Sequence, residues 1–131
     1  MRWKRGEARF TMAKFDMFQK QTDVQSFVSG ETIFHQGDPR SVMFVVNEGE
    51  VEIRLGNKVL EVVQPGGIFG EMAIIDGQPR TATAVARSDC KLVPIDQKRF
   101  QFLIQQTPYF AVEVMRVLAD RLRRADQVID A

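Results

Sequence analysis

The chain has 131 residues, with 18 Lys plus Arg against 17 Asp plus Glu and a formal net charge of +1, which fits one domain with a real apolar core and does not suggest a general nucleic-acid surface, while leaving room for a local basic patch. A single cysteine, Cys90, and a single histidine, His35, exclude an internal disulfide, an iron–sulfur cluster, a zinc site and the several-histidine metal centre of a metal-binding barrel. The apolar runs are too short to span a membrane, and the basic N-terminus (Arg2, Lys4, Arg5, Arg9) lacks the apolar stretch of a secretory signal, so a cytoplasmic, reducing setting is expected.

Residues 1–20 read as a leader, in which Met12 serves as well as Met1 for a start, followed by a short helix near 13–20 with Phe15 and Phe18 on one face. Residues 21–131 read as the folded domain. Short strands come at regular spacing: 24–28, 32–35, 42–46, 51–55, 59–63, 83–86 and 91–95. Gly30, Gly37-Asp38-Pro39, Asn47-Glu48-Gly49, Gly56-Asn57 and Pro65-Gly66-Gly67 punctuate them as turns. This pattern predicts a mainly β fold, an antiparallel β-roll or jelly roll, interrupted by one short helix and closed by two C-terminal helices. Asp96 is placed to cap the first of these, through Phe100, Leu103 and Ile104, and Thr107-Pro108 restarts the second. The second carries Phe110, Val114, Val117, Leu118 and Leu122 as one stripe expected to face the barrel. It ends among Arg116, Arg121, Arg123 and Arg124, for most of which solvation at a helix C-terminus is a sufficient account.

The run Phe69-Gly70-Glu71-Met72-Ala73-Ile74-Ile75, closed by Pro79-Arg80-Thr81-Ala82-Thr83-Ala84, carries the chemistry. A short helix begun at Gly70-Glu71 points backbone N–H groups outward, and Gly70 lets a ligand approach the backbone. Arg80 offers a planar fork for two phosphate oxygens. Glu71 is an acceptor and suits a hydroxyl donor. Together they suit a molecule with one phosphate charge and one free hydroxyl, as in a 3′,5′-cyclic nucleotide. In the empty state, Arg80 is also a candidate ion-pair partner for Glu71. Met72 and Ile74 are expected in the core more than at the ligand, whereas the small Ala73 brings its N–H near the phosphate. Ile53, Leu60 and Val62 alternate toward the interior and are candidates to wall the base and ribose. His35 stands between Phe34 and Gln36 with no nucleophile signature nearby, so it reads as a half-exposed residue at a strand end.

The run resembles the phosphate-binding cassette of the cyclic nucleotide-binding domain family, found in catabolite-activator-type regulators, kinase regulatory subunits and cyclic nucleotide-gated channels. Gly70-Glu71-Met72-Ala73-Ile74 and Arg80-Thr81-Ala82 fit its pattern, and Ile33 through Gly49 is similar to a second, looser element, with Phe34 and Arg40 bulkier than usual. The resemblance covers residues 20–125 or so. It implies a cytoplasmic sensor, not an enzyme, whose ligand is cAMP first and cGMP second, since Thr81 is a residue that family members often pair with guanine. It also implies signalling by movement of the C-terminal helices, an unnamed protein effector and a homodimer through the last helix. A residue of that helix closes over the base in the family, and Arg121, then Arg124, are the candidates here. The chain stops at Ala131, where DNA-reading relatives continue into a helix-turn-helix, so no nucleic-acid partner is expected of it alone. The alternatives are a ligand-binding fragment of a larger transcription regulator, channel or kinase regulator, and a ligand-free interaction scaffold of the same fold. A cyclic dinucleotide calls for a second basic anchor that the sequence does not supply.

Overall fold

A computed structural model describes residues 23–39 and 42–130, with side chains through residue 125. The short helix expected near 13–20, the leader and Arg40 lie outside the described residues. Eight strands run in chain order: β1 (Gln25–Phe27), β2 (Thr32–Phe34), β3 (Val42–Glu48), β4 (Val51–Leu55), β5 (Lys58–Val63), β6 (Ile68–Phe69), β7 (Thr83–Ala86) and β8 (Cys90–Asp96). Helix α1 (Glu71–Asp76) sits between β6 and β7, and α2 (Gln97–Gln106) and α3 (Pro108–Asp130) follow β8. The strands form two antiparallel sheets, ordered β1-β8-β3-β6 and β2-β7-β4-β5, as the alternation and turn spacing predict for a β-roll. β6 was not anticipated: two residues are too few to show a period.

β3 explains how two cores share one sheet. Its run Val42-Met43-Phe44-Val45-Val46 is apolar without alternation because both faces are covered. Met43 and Val45 pack with Ile74, Ile95, Leu103 and Phe110 beneath the helices. Phe44 and Val46 point the other way, to Phe34, Phe69, Val51 and Leu92 between the sheets. Cys90 is buried in that second core, where desolvation first, then the charges of Asp89 and Glu31, push its thiol pKa up. Gly49, between β3 and β4, passes close to Asp89 and Cys90: a Cβ there would meet the Asp89 carbonyl oxygen at 2.2 Å.

The helices hang from β8. The Asp96 side chain accepts from the Arg99 N–H at 2.8 Å, as its N-cap position predicts. α3 lays Phe110, Val114, Val117 and Leu118 on the core, but Leu122 is 64% exposed and does not belong to that stripe. At 3.6 residues per turn, the position above Val117 and Leu118 on the inward face is 121, so Arg121 takes the place expected of Leu122.

Candidate functional site

A cavity of about 330 Å³ opens between the roll, α1 and the last part of α3. Two opposite charges line it while almost enclosed: Glu71 is 2% exposed and Arg80 5%. A charge held that deep is costly unless its surroundings match it.

Arg80 stands just before β7, and the Gly37-Asp38 turn pins its backbone. Its N–H donates to the Asp38 carbonyl at 2.9 Å, and its own carbonyl accepts from the Gly37 N–H at 2.8 Å. Nη1 donates to the Gly70 carbonyl at 2.9 Å and Nη2 donates to the Val42 carbonyl. The guanidinium carbon lies 4.0 Å from the centroid of the Phe34 ring, which rests on Phe44 and Phe69. Carbonyl dipoles and a ring face fix the plane of the guanidinium. Gly70 permits this arrangement. Its φ is +78°, and a Cβ there would sit 2.8 Å from Arg80 Nη1 and 3.3 Å from the Val42 carbonyl oxygen.

Glu71 opens α1, which Gly70 begins and Gly77 ends. The ion pair on its carboxylate comes from Nη1 of Arg121, not from Arg80 as weighed from the sequence, because Arg80 is turned to the carbonyls of Gly70 and Val42. The other edge of the Arg121 guanidinium meets Glu61. Nε donates to Oε1 at 2.9 Å, Nη2 donates to Oε2 at 3.1 Å, and Nη2 also donates to the Ile68 carbonyl at 2.7 Å. Arg124 Nη2 lies 3.4 Å from Glu61 and 3.3 Å from Asp120.

Gly70, Met72, Ala73, Thr81, Ala82, Ile53, Leu60 and Arg124 line the same cavity as Glu71, Arg80 and Arg121. Val62 does not; it lines an adjoining depression. Strand register is the reason. Ile53 pairs with Glu61 and Arg54 with Val59, so a bulge at Leu60 breaks the alternation and gives the Ile53 face to Glu61. Ile74 is in the core as expected, but Met72 is 45% exposed at the cavity mouth. Glu71 and Ile74 share one face of the short helix, which turns Met72 and Ile75 outward. His35 is exposed at a strand end, with Nδ1 4.0 Å from Asp38.

Residues 24–107 match the sequence pattern described as the cyclic nucleotide-binding domain. The chain belongs to that family. It is 35% identical over 109 residues to the Cyclic AMP receptor protein of Thermus thermophilus, covering 79% of this chain and 50% of the relative. The crystal structure of Thermus thermophilus Catabolite Activator Protein superposes with a TM-score of 0.75 at 30% identity, over 97% of this chain and 59% of that one. The EAL enzyme Bd1971 is similar in its cAMP-bound form (TM-score 0.59, 29% identity, 82% of this chain and 30% of that one). Its cGMP-bound form is similar too (TM-score 0.60, 29% identity, 80% of this chain and 29% of that one). The chain spans about half the length of the curated relatives it matches.

Within this cyclic nucleotide-binding domain, the site residues read from the sequence left out five that line the cavity: Phe34, Glu61, Phe69, Pro79 and Ala125. Glu61 was hidden by the bulge, which no local pattern signals. Phe34 was noted only for its bulk; the signal was there, but its contact with Arg80 spans 46 positions. Among the described residues, no cluster of three or more His, Cys, Asp or Glu is placed to hold a metal, and no helix is long and apolar enough to cross a membrane.

Proposed function

We propose that this domain is the ligand-reading part of a sensor for a cyclic mononucleotide, with cAMP ranked before cGMP. The observation that carries the proposal is the pair of enclosed opposite charges, Glu71 and Arg80, lining one cavity inside the matched region. Its volume of about 330 Å³ lies at the lower end of the range of small-molecule sites. The phosphate goes to Arg80, whose planar fork suits two oxygens, and to the N–H of Ala73. The ribose 2′-hydroxyl donates to Glu71. Gly70 and Ala82 let the sugar-phosphate lie close to the backbone, Ile53 and Leu60 wall the base, and Thr81 reaches the purine. The name of the Thermus relative supports cAMP; the two forms of the EAL enzyme support both nucleotides. Reception rather than catalysis is the role, with α3 carrying the signal to a protein effector through its different fit to the two ligand states. The same domain serves in this way as a fragment of a larger transcription regulator, channel or kinase regulator.

A second copy of the chain is the proposed partner of α3. Val112, Met115, Ala119 and Leu122 follow one another at steps of three, four and three, the spacing of a coiled-coil seam, and all four are exposed.

Calorimetric titration with cAMP, cGMP and cyclic dinucleotides tests the assignment. Arg80→Ala is expected to weaken cAMP binding by roughly thirty- to several-thousand-fold, the loss of about 2–5 kcal/mol for a buried charge-assisted contact. Arg80→Lys is expected to be nearly as weak, since a point charge does not replace a fork. Unchanged affinity in a folded Arg80→Ala protein removes the reading altogether.

A further inference from the structure

Glu61 and Arg121 stand 60 positions apart in sequence, yet they form the most complete side-chain pair at the cavity. A guanidinium has a two-nitrogen edge, Nε with Nη2, and a remaining end at Nη1. Glu61 takes the edge with both carboxylate oxygens, and the Ile68 carbonyl takes a further hydrogen of Nη2. Three acceptors fix a planar group in one orientation. Only Nη1 is then left to meet Glu71, and it meets Oε1. With Arg124 drawn to both Glu61 and Asp120, the cluster holds three carboxylates and two guanidinia.

We propose that Glu61 is a positioning residue for sugar recognition: by holding the two-nitrogen edge of Arg121, it limits Arg121 to a single contact with Glu71 and keeps the Glu71 carboxylate available to a ribose hydroxyl. The inference rests on the reading of Glu71 given above. Without Glu61, the carboxylate still in contact with the Arg121 guanidinium is Glu71, through Nη1. Arg121 then swings to take both oxygens of Glu71, and a fork-to-fork ion pair outcompetes a neutral hydroxyl for the same acceptor. Glu61 thus acts through Arg121 and touches the ligand's hydroxyl only at second hand. Absolute affinity is a poor measure of this role, because removing an acid from the cavity also favours the phosphate. The preference for the 2′-hydroxyl is the quantity that isolates it.

The test is competitive binding of cAMP and 2′-deoxy-cAMP to the full chain and to Glu61→Ala, Glu61→Gln, Arg121→Ala and the double variant Glu61→Ala/Arg121→Ala. The unaltered chain prefers cAMP. Glu61→Ala is expected to reduce that preference about fivefold or more, as expected when a buried hydrogen bond to a charged acceptor is lost. Glu61→Gln, which keeps one acceptor for Arg121, is expected to fall between the two. In the Arg121→Ala background, Glu61→Ala is expected to change the preference no further, because the residue it acts through is gone. An unchanged preference in Glu61→Ala, or in Glu61→Gln should the alanine variant fail to fold, overturns the inference. So does an equal effect of Glu61→Ala with and without Arg121. An unaltered chain that binds neither nucleotide overturns the function reading, and the inference with it; one that binds both equally overturns the role given to Glu71. These outcomes differ from binding with discrimination that is indifferent to Glu61, where this inference alone is lost.

Discussion

At the residue scale, the site is a matter of how two enclosed charges are held. Arg80 is fixed by two carbonyls and the face of Phe34, and Glu71 by Arg121. Both charges depend on backbone that passes close by, and Gly70 is where this is most acute. Gly70→Ala forces a β-carbon into φ +78° and to within 2.8 Å of Arg80 Nη1. The backbone strain is about 1–2 kcal/mol, and the displaced guanidinium is expected to weaken cAMP binding about tenfold or more, by the loss of part of a charge-assisted contact. Gly30→Ala is the control: its φ is +89°, but nothing lies within 4 Å of the added carbon. Thermal melts are expected to drop in both variants and further in Gly70→Ala, where the added carbon also meets Arg80 and the Val42 carbonyl, while calorimetric titration shows an affinity loss in Gly70→Ala alone. Equal affinities in both variants deny Gly70 its part in seating Arg80.

At the scale of elements, α3 brings unlike faces to its neighbours. Its inward face runs Phe110, Val114, Val117 and Leu118, then ends on Arg121 at the cavity. That assignment changes which residue is offered as the lid over the base. Arg121 is committed to Glu61, Glu71 and the Ile68 carbonyl, whereas Arg124 is 47% exposed and keeps only longer contacts, at 3.3 and 3.4 Å. Arg124 is therefore the better candidate to lie flat on a purine, an attraction of roughly 0.5–2 kcal/mol. Arg124→Ala is expected to speed release of a fluorescent cAMP analogue severalfold in stopped flow and to leave association nearly unchanged, since a lid acts on the off-rate. A release rate equal to that of the unaltered chain places the lid elsewhere. Arg121→Ala is expected to show itself differently, in the equilibrium preference for the 2′-hydroxyl.

At the scale of the whole molecule, the exposed seam of α3 predicts association. Leu122 is 64% exposed and Met115 58%, on the side of the helix away from the core. Leu122→Glu puts a charge into that seam and is expected to shift sedimentation toward the monomer at concentrations where the unaltered chain is dimeric, with thermal stability of the roll retained. Sedimentation that is monomeric and concentration-independent in the unaltered chain ends that proposal. The sequence by itself determined whatever depends on neighbours along the chain. The turns at Gly37-Asp38 and Gly56-Asn57, the cap at Asp96, the helix restart at Thr107-Pro108 and the cassette from Gly70 to Ala82 are all local, because capping, turn geometry and strand alternation are settled within a few residues. Both enclosed charges, Glu71 and Arg80, were legible for the same reason: they lie on one short excursion of the chain. Only the tertiary structure decided the partners of those charges. A bulge in β5 turned Glu61 inward in place of Val62, and the helical period placed Arg121 inward in place of Leu122. Those two displacements, each of one residue, meet at the cavity. An ion pair between a strand and a helix 60 positions later has no signature along the chain; it exists because packing of the apolar faces brings the two elements to the same wall.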